Sequence, residues 1–496
     1  MNDNDSQMMD IDHEDYDDDQ DSIYICKYIK NQRNIDQCLW FALRDEELRL
    51  GTLLTLTSSN LRACMSTFPW YFQSVNTLEI IVSDIYVFSE SIGTLLASLD
   101  SRSRLTSLDL SMTNLEPEDM TFIVDSLINN QSKPQLKKLN LQSNPLKNEG
   151  ISLLCKLLDQ SNSIQELILQ CCEAEDGLEL LGDIIGKNNQ SLQYLDWSYN
   201  PSDYNNVMSL SSGVRLNDIL ETLLLRGCEI EGSGAYSLGD TVGVNQTLTK
   251  LDISDNRFGD GATTNLAKKL ALNHSLTHLD ISGNGFTCDS FNHLFSALHS
   301  HPTLTYLNLS RNDISTLDLI NLTDIFQSNK KLDTLVMNDY NHFSNIHPLI
   351  DILSFNSSLE SLNLFRNSLE LESLITLLHF ILKIPFRLQT TTCQLSIAQQ
   401  MNVTRSAHIL NYINITPKSK LSSDSYTKLN TLIKQSQSKI TIFFYNMSHK
   451  NKKEEEIKLE SESETDSDTY RKSKEEEFRD EQMKCNSVVL NKKILN

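Results

Sequence analysis

The chain has 496 residues, too many for one ordinary compact core and enough for two or three domains or one elongated repeat array. Hydrophobic residues make up 39% and charged residues 22%, so most of the chain is expected to fold. With 43 Lys and Arg against 66 Asp and Glu the net charge is −23, which excludes a nucleic-acid or anionic-membrane binder held by a general positive field and leaves room for a basic protein partner.

Residues 1–21 hold ten acids and no Lys or Arg, and are expected to form a disordered acidic tail. They contain neither a basic n-region nor an apolar h-region, so no secretory signal is expected. Residues 22–76 are apolar enough, at Ile23–Lys30 and Cys38–Leu43, to predict a helical N-terminal cap.

From 77 to 382 one phrase recurs. It reads Leu136-Lys-Lys-Leu139-Asn-Leu141-Gln-Ser-Asn144, then Leu248-Thr-Lys-Leu251-Asp-Ile253-Ser-Asp-Asn256, then Leu304-Thr-Tyr-Leu307-Asn-Leu309-Ser-Arg-Asn312. Its first apolar residue falls at Leu105, Leu136, Ile164, Leu192, Leu220, Leu248, Leu276, Leu304, Leu332 and Leu359, a step of 31, then seven steps of 28, then 27. A degenerate earlier copy starts at Leu78, with Ile81 and Ser83 placed in register, giving about eleven copies. Each copy opens with alternation, which predicts a short strand. It continues with apolar residues at helical spacing, such as Ile151, Leu154, Leu157 and Leu158, or Leu266 and Leu270. Strand then helix at a constant step predicts an α/β solenoid, a horseshoe with parallel strands on the concave face and helices on the convex face. At ~4.8 Å between neighbouring strands, eleven strands span roughly 50 Å.

The last position of the phrase carries Asn144, Cys172, Asn200, Cys228, Asn256, Asn284, Asn312 and Asn367, with Thr113 and Tyr340 in step. An Asn turned inward there can bond the backbone groups that a short parallel strand leaves open, and Cys is its small, weakly polar substitute. This step and the alternation of Asn with Cys resemble the leucine-rich-repeat proteins of the ribonuclease-inhibitor-like class, which includes the repeat domains of NOD-like receptors and the Ran GTPase-activating proteins. The resemblance covers about residues 77–382 and implies a horseshoe that binds macromolecules.

Residues 383–447 form a flank in which 395–413 predicts an amphipathic helix and 439–445 a strand that pairs with an edge. Residues 448–496 are expected to form a second disordered, charged tail. In it Ser461, Ser463 and Thr465 each precede an acid by three residues and resemble substrates of acid-directed kinases; a plain solvated run reads equally well. No apolar stretch reaches the ~18–20 residues that span a bilayer, so no membrane insertion is expected. The ten cysteines show no CxxC pair and read as reduced thiols. The expected location is the cytoplasm, with the nucleus open.

Between the buried leucines a concave sheet presents outward side chains. The candidate protein-binding residues are Tyr194, Asp196, Tyr199, Leu224, Arg226, Asp252, Asp255, Asp280, Tyr306 and Arg311, an acidic stretch beside exposed Ile168 and Leu224. No catalytic residue, metal site or cofactor is expected: no phosphate-cradling loop, HExxH or GxSxG occurs. Cys288, in a turn, and His293, His299 and His301 have spacings that share no face. Trp197 falls on a leucine core position, and Asn189, Asn245, Asn273 and Asn356 end helices where Asn tolerates a left-handed turn. The function expected is non-catalytic binding of a protein partner on the concave face, with a basic partner as one option. The alternative is activation of a Ran-type small GTPase, since Leu78-Glu-Ile-Ile-Val-Ser-Asp-Ile-Tyr86 is similar to an early-repeat segment of the Ran GTPase-activating proteins. In that family an Arg follows; the matching residue here is Ser89.

Overall fold

The computed structural model describes residues 52–56, 78–82, 96, 105–129, 136–187, 190–299, 301–313, 328–339, 347, 349–351, 358–369, 376–377, 412–417 and 441–444. The strands are β1 (Thr52–Leu56), β2 (Leu78–Val82), β3 (Leu105–Asp109), β4 (Lys138–Asn140), β5 (Glu166–Ile168), β6 (Tyr194–Asp196), β7 (Thr222–Leu224), β8 (Lys250–Asp252), β9 (His278–Asp280), β10 (Tyr306–Asn308), β11 (Thr334–Val336), β12 (Ser361–Leu369), β13 (Tyr412–Pro417) and β14 (Thr441–Phe444). Among the described residues they form one 14-stranded sheet in sequence order, every neighbouring pair parallel. The helices described are α1 (Pro117–Asn129), α2 (Lys147–Gln160), α3 (Gly177–Lys187), α4 (Tyr204–Leu216), α5 (Gly232–Val244), α6 (Gly259–Leu270) and α7 (Cys288–Leu298), each lying between two strands.

The leucines of the phrase make one continuous core between sheet and helices. Leu139, Leu141, Leu167, Leu195, Leu225, Leu279 and Leu309 are inaccessible to solvent, and so are Ile151 and Leu154 of α2 and Leu270 of α6. Trp197 occupies a leucine place because Gly177 vacates it: a Cβ on Gly177 would lie 2.8 Å from the indole. The indole N–H donates to Ser202 Oγ at 3.1 Å, so the one polar atom of this large side chain is satisfied.

What fixes the stacking is a set of side-chain bonds that leave their own repeat. Asn144 Nδ2 donates to the Leu110 carbonyl of the preceding repeat and the Leu141 carbonyl of its own, while its Oδ1 accepts from Thr113 N and Leu115 N. Asn200, Asn256, Asn284 and Asn312 likewise reach back 31 residues to Leu169, Leu225, Ile253 and Ile281, and Asn367 reaches Met337. Where Cys stands instead, Cys172 Sγ donates to Leu141 O at 3.4 Å and Cys228 Sγ to Trp197 O at 3.5 Å. Burial pushes both thiols up, so each keeps the proton it donates.

A second ladder runs along the turns that follow the helices. Asn217, Asn245, Asn273 and Asn329 donate to Ile185, Val214, Val242 and Leu298, and each Oδ1 accepts backbone N–H groups two and three residues on. The expectation of left-handed helix ends is thus corrected: Asn217 and Asn245 are extended, at ψ 135° and 128°, because their side chains bridge repeats. Asn189 and Asn356 lie outside the described residues.

Three further expectations shift. Within the segment read as a helical cap, 52–56 is a strand: Thr-Leu-Leu-Thr-Leu, with two β-branched threonines, pairs in register with β2. The Leu78 copy is one residue short, so after Leu78 pairs with Leu105 the register slips and Ile80, not Ile81, faces Leu108. That slip restores the step of 28, and Ser83 lies outside the described residues. At the other end, β13 takes the last two residues of the stretch read as a helix, 395–413, and β14 closes the described sheet within 439–445. The two tails and the remainder of both flanks lie outside the described residues.

Asn256→Ala would strand the Ile230 N–H and the Leu225 carbonyl, since Ile253 O keeps Asn284 and Ser254 O keeps Gly227 N, and is expected to lower stability by about 2–4 kcal/mol in urea unfolding. Cys228→Ala, which removes one weak donor, is expected to cost about 1 kcal/mol.

Candidate functional site

The residue between the two leucines of each strand points out of the core, and sheet register sets these residues side by side. The row runs Asp109, Asn140, Ile168, Asp196, Leu224, Asp252, Asp280, Asn308, Val336 and Asn363 from β3 to β12. Its acids use Oδ1 to hold their own strand end: Asp196 accepts from Ser198 N, Asp252 from Ser254 N and Asp280 from Ser282 N, each at 2.9 Å. Twice an Asn in the next strand completes the carboxylate. Asn140 Nδ2 donates to Asp109 Oδ2 at 3.0 Å, and Asn308 Nδ2 to Asp280 Oδ2 at 2.7 Å. At the β8–β9 step the neighbour of Asp252 is another carboxylate, Asp280, and no such donor is available.

Beside this row lies a turn residue in the left-handed region: Ser143, Cys171, Tyr199, Asp255, Arg311 and Asp339, with Gly227 and Gly283 in step, all with φ between 56° and 64° except Arg311 at 55°. Glycine is required at 227, because a Cβ there would sit 2.7 Å from the Tyr199 ring. Arg226 lies over that ring, 5.6 Å from its centroid, and its Nε donates to Asp255 Oδ2 at 2.9 Å. Arg311 takes the other oxygen of Asp255 at 2.6 Å. On the opposite side of the row His278 stacks on Tyr306, 5.6 Å between centroids at an interplanar angle of 19°.

The sequence-predicted residues therefore fall on one face but divide by environment. Asp252, Asp280, Asp255, Arg226, Arg311 and Tyr306 come together around β8–β10, whereas Asp196 is 8% exposed and separated from Asp252 by the Leu224 strand. Tyr194 and Tyr199 both belong to the β6 repeat, two repeats before β8, and are partly buried. Ile168 and Leu224 are half-buried, not exposed. Asp255 is neutralised by two arginines, so the stretch is not uniformly acidic. Cys288 opens α7 and is exposed, with its turn ending one residue earlier at Thr287; His293 and His299 are exposed and His301 is buried. No group of side chains that could hold a metal ion occurs among the described residues. Segment 83–89 and Ser461, Ser463 and Thr465 lie outside those residues.

A sequence profile described as "Leucine Rich repeat" matches residues 133–155, 244–263, 272–287 and 300–322. NACHT, LRR and PYD domains-containing protein 4E of Mus musculus is 35% identical over 150 residues, covering 30% of this chain and 15% of that protein. Ribonuclease inhibitor of Mus musculus is 32% identical over 131 residues, covering 26% of this chain and 29% of that one. The chain is a leucine-rich-repeat protein of the ribonuclease-inhibitor-like class. It spans less than a third of the length of these curated relatives. A solved chain from a yeast Rad7–Elc1 complex overlaps 86% of this chain and 92% of its own length, with 15% identity and a TM-score of 0.47. Among the described residues no helix is long and apolar enough to cross a membrane.

On this leucine-rich-repeat face the like-charged step has an electrostatic signature. Although Asp252 and Asp280 keep some contact with solvent, protein encloses them on most sides. Burial raises both carboxyls; Asp280, which also feels Asp252, is raised to about 7. Arg226 and Lys250 oppose the shift of Asp252, and Ser282 and Asn308 that of Asp280. Tyr306 is also raised, first by burial and then by the two carboxylates, and remains a neutral donor.

The folded pair binds protons that the unfolded chain releases, so stability from this source is present in acid and lost as pH rises towards about 7. Asp280→Asn is expected to stabilise the protein by on the order of 2 kcal/mol more at pH 8 than at pH 5. Thermal unfolding at the two pH values reads this directly.

Proposed function

We propose that this protein is a non-catalytic scaffold whose concave face binds a basic segment of a partner protein around β8–β10. The observation that carries the reading is the Asp252–Asp280 step, where two in-register carboxylates adjoin and no side chain of the next strand donates to Asp252. A Lys or Arg from a partner would take the place that Asn140 and Asn308 take elsewhere in the row, in the form of a charge-assisted bond. Tyr306, Tyr199 and half-buried Leu224 supply the aromatic and apolar contacts that anchor such an interface, and the Arg226–Asp255–Arg311 bridge holds its polar rim in place. One relative is named an inhibitor of a ribonuclease, an example of the class acting on another protein.

A second reading, activation of a Ran-type GTPase, is supported by the segment Leu78–Tyr86, of which 78–82 is strand β2. It predicts acceleration of single-turnover GTP hydrolysis of ~10³-fold or more; an unchanged rate rejects it.

For the scaffold, titration calorimetry with a Lys- and Arg-rich peptide should show affinity that falls with salt and rises from pH 6 to pH 8 as the pair ionises. The double variant Asp252→Asn, Asp280→Asn should weaken binding at least tenfold. Removing two charges from the tail, Asp17→Asn with Asp18→Asn, should change it less than twofold. Equal loss from both double variants would reduce the effect to net charge and overturn the proposed site.

A further inference from the structure

Along the turns after the helices, one place in the bridging ladder is not asparagine. The series runs Asn217, Asn245, Asn273, His301 and Asn329 at a step of 28. His301 is 3% exposed. Its Nδ1 takes over the acceptor role of the asparagine Oδ1, receiving Leu304 N at 3.2 Å and, more loosely, Thr303 N at 3.5 Å. The ring is therefore neutral with its proton on Nε2. That nitrogen is buried and makes no hydrogen bond among the described residues; the Leu270 carbonyl, 31 residues back, acts on the ring without completing one.

An asparagine in this place has no second ionisation state, but an imidazole does. A proton on Nδ1 would confront the Leu304 and Thr303 N–H groups with a donor and would place a charge in a site with 3% exposure. The ionisable groups on the surrounding turns would not stabilise it. His299 ends its own helix, His274 lies on the preceding turn and lowers the ring's proton affinity by its charge, and Lys330 and Lys331 follow on the next turn. All are basic.

We propose that His301 is an acid-sensitive joint of the solenoid: protonation of its ring releases the turn that leads into β10, and the repeat carrying Tyr306, Asn308 and Arg311 opens while its neighbours stay closed. The joint goes beyond the partner-binding proposal and does not depend on it. Burial lowers the imidazole from 6.5 to about 4, so the folded repeat binds fewer protons than the open one, and its stability falls as pH drops from 6.5 towards 4. At pH 5 those two values favour the open form roughly 30-fold relative to pH 8.

Hydrogen exchange on the full chain, corrected for intrinsic rates, tests this. Protection of the Leu304–Leu309 amides should drop about 30-fold between pH 8 and pH 5 relative to Leu276–Ile281, the same stretch one repeat earlier under Asn273. His301→Asn should abolish that difference. An equal drop in both stretches, or the same drop in the variant, overturns the joint. Should the variant not fold, the ring titration of His301 by NMR in the native chain decides: a midpoint well below 6 supports it, and one at 6.5 or above overturns it.

Discussion

The three-residue strands of the regular region are too short to hold themselves in place, and the bonds that asparagine and cysteine make 31 to 34 residues back along the chain are what tie one repeat to the next. Most strands of the regular region contribute three residues, and parallel pairing through so few residues leaves the turn beyond each strand with open N–H and C=O groups. Asn144, Asn200, Asn256, Asn284 and Asn312 close those groups from the next repeat. The constant step follows from the reach of a single amide side chain, and sheet register, helix stacking and the alignment of the concave row all follow from the step.

That alignment turns sequence spacing into electrostatics. Residues 28 apart become neighbours at strand separation, so the identity of successive row residues decides whether a carboxylate meets an amide, a leucine or another carboxylate. Asp109 and Asp280 each meet an amide donor in the following strand, Asp196 meets Leu224, and Asp252 meets Asp280. The same logic in the adjoining turns places Asp255 between Arg226, one repeat earlier, and Arg311, two repeats later. Beside Asp109 and Asp196, this face therefore holds one carboxylate paired with two arginines and one adjoining pair of raised carboxyls.

The fold could be read from the Leu phrase because burial on one face leaves a strict period, and Trp197, a leucine replacement, kept its place within it. The position of Asp252 beside Asp280 was equally legible, since both follow a core leucine at the common step. Degree of exposure was not: that Ile168 and Leu224 are half-buried shows only in the folded sheet. The slip at Leu78 was hidden because Ile80 and Ile81 are chemically alike and only pairing distinguishes them. The second asparagine ladder looked like helix termination, since its bridging bonds run to residues 31 or 32 positions away. His301 gave a weak signal, a break in that series, whose meaning required its burial and partners.

The direction of the ladder has a consequence for how the array can be divided. In each junction the side chain belongs to the later repeat and the open backbone to the earlier one: Thr113 and Leu115 are held by Asn144, Cys172 and Ala174 by Asn200. A cut between two repeats therefore leaves the upstream fragment with a frayed final turn, while the downstream fragment keeps its first turn intact and merely exposes an amide to water. Fragments of this chain are not equivalent halves, and the piece that begins at a junction should be the more soluble and better ordered of the two.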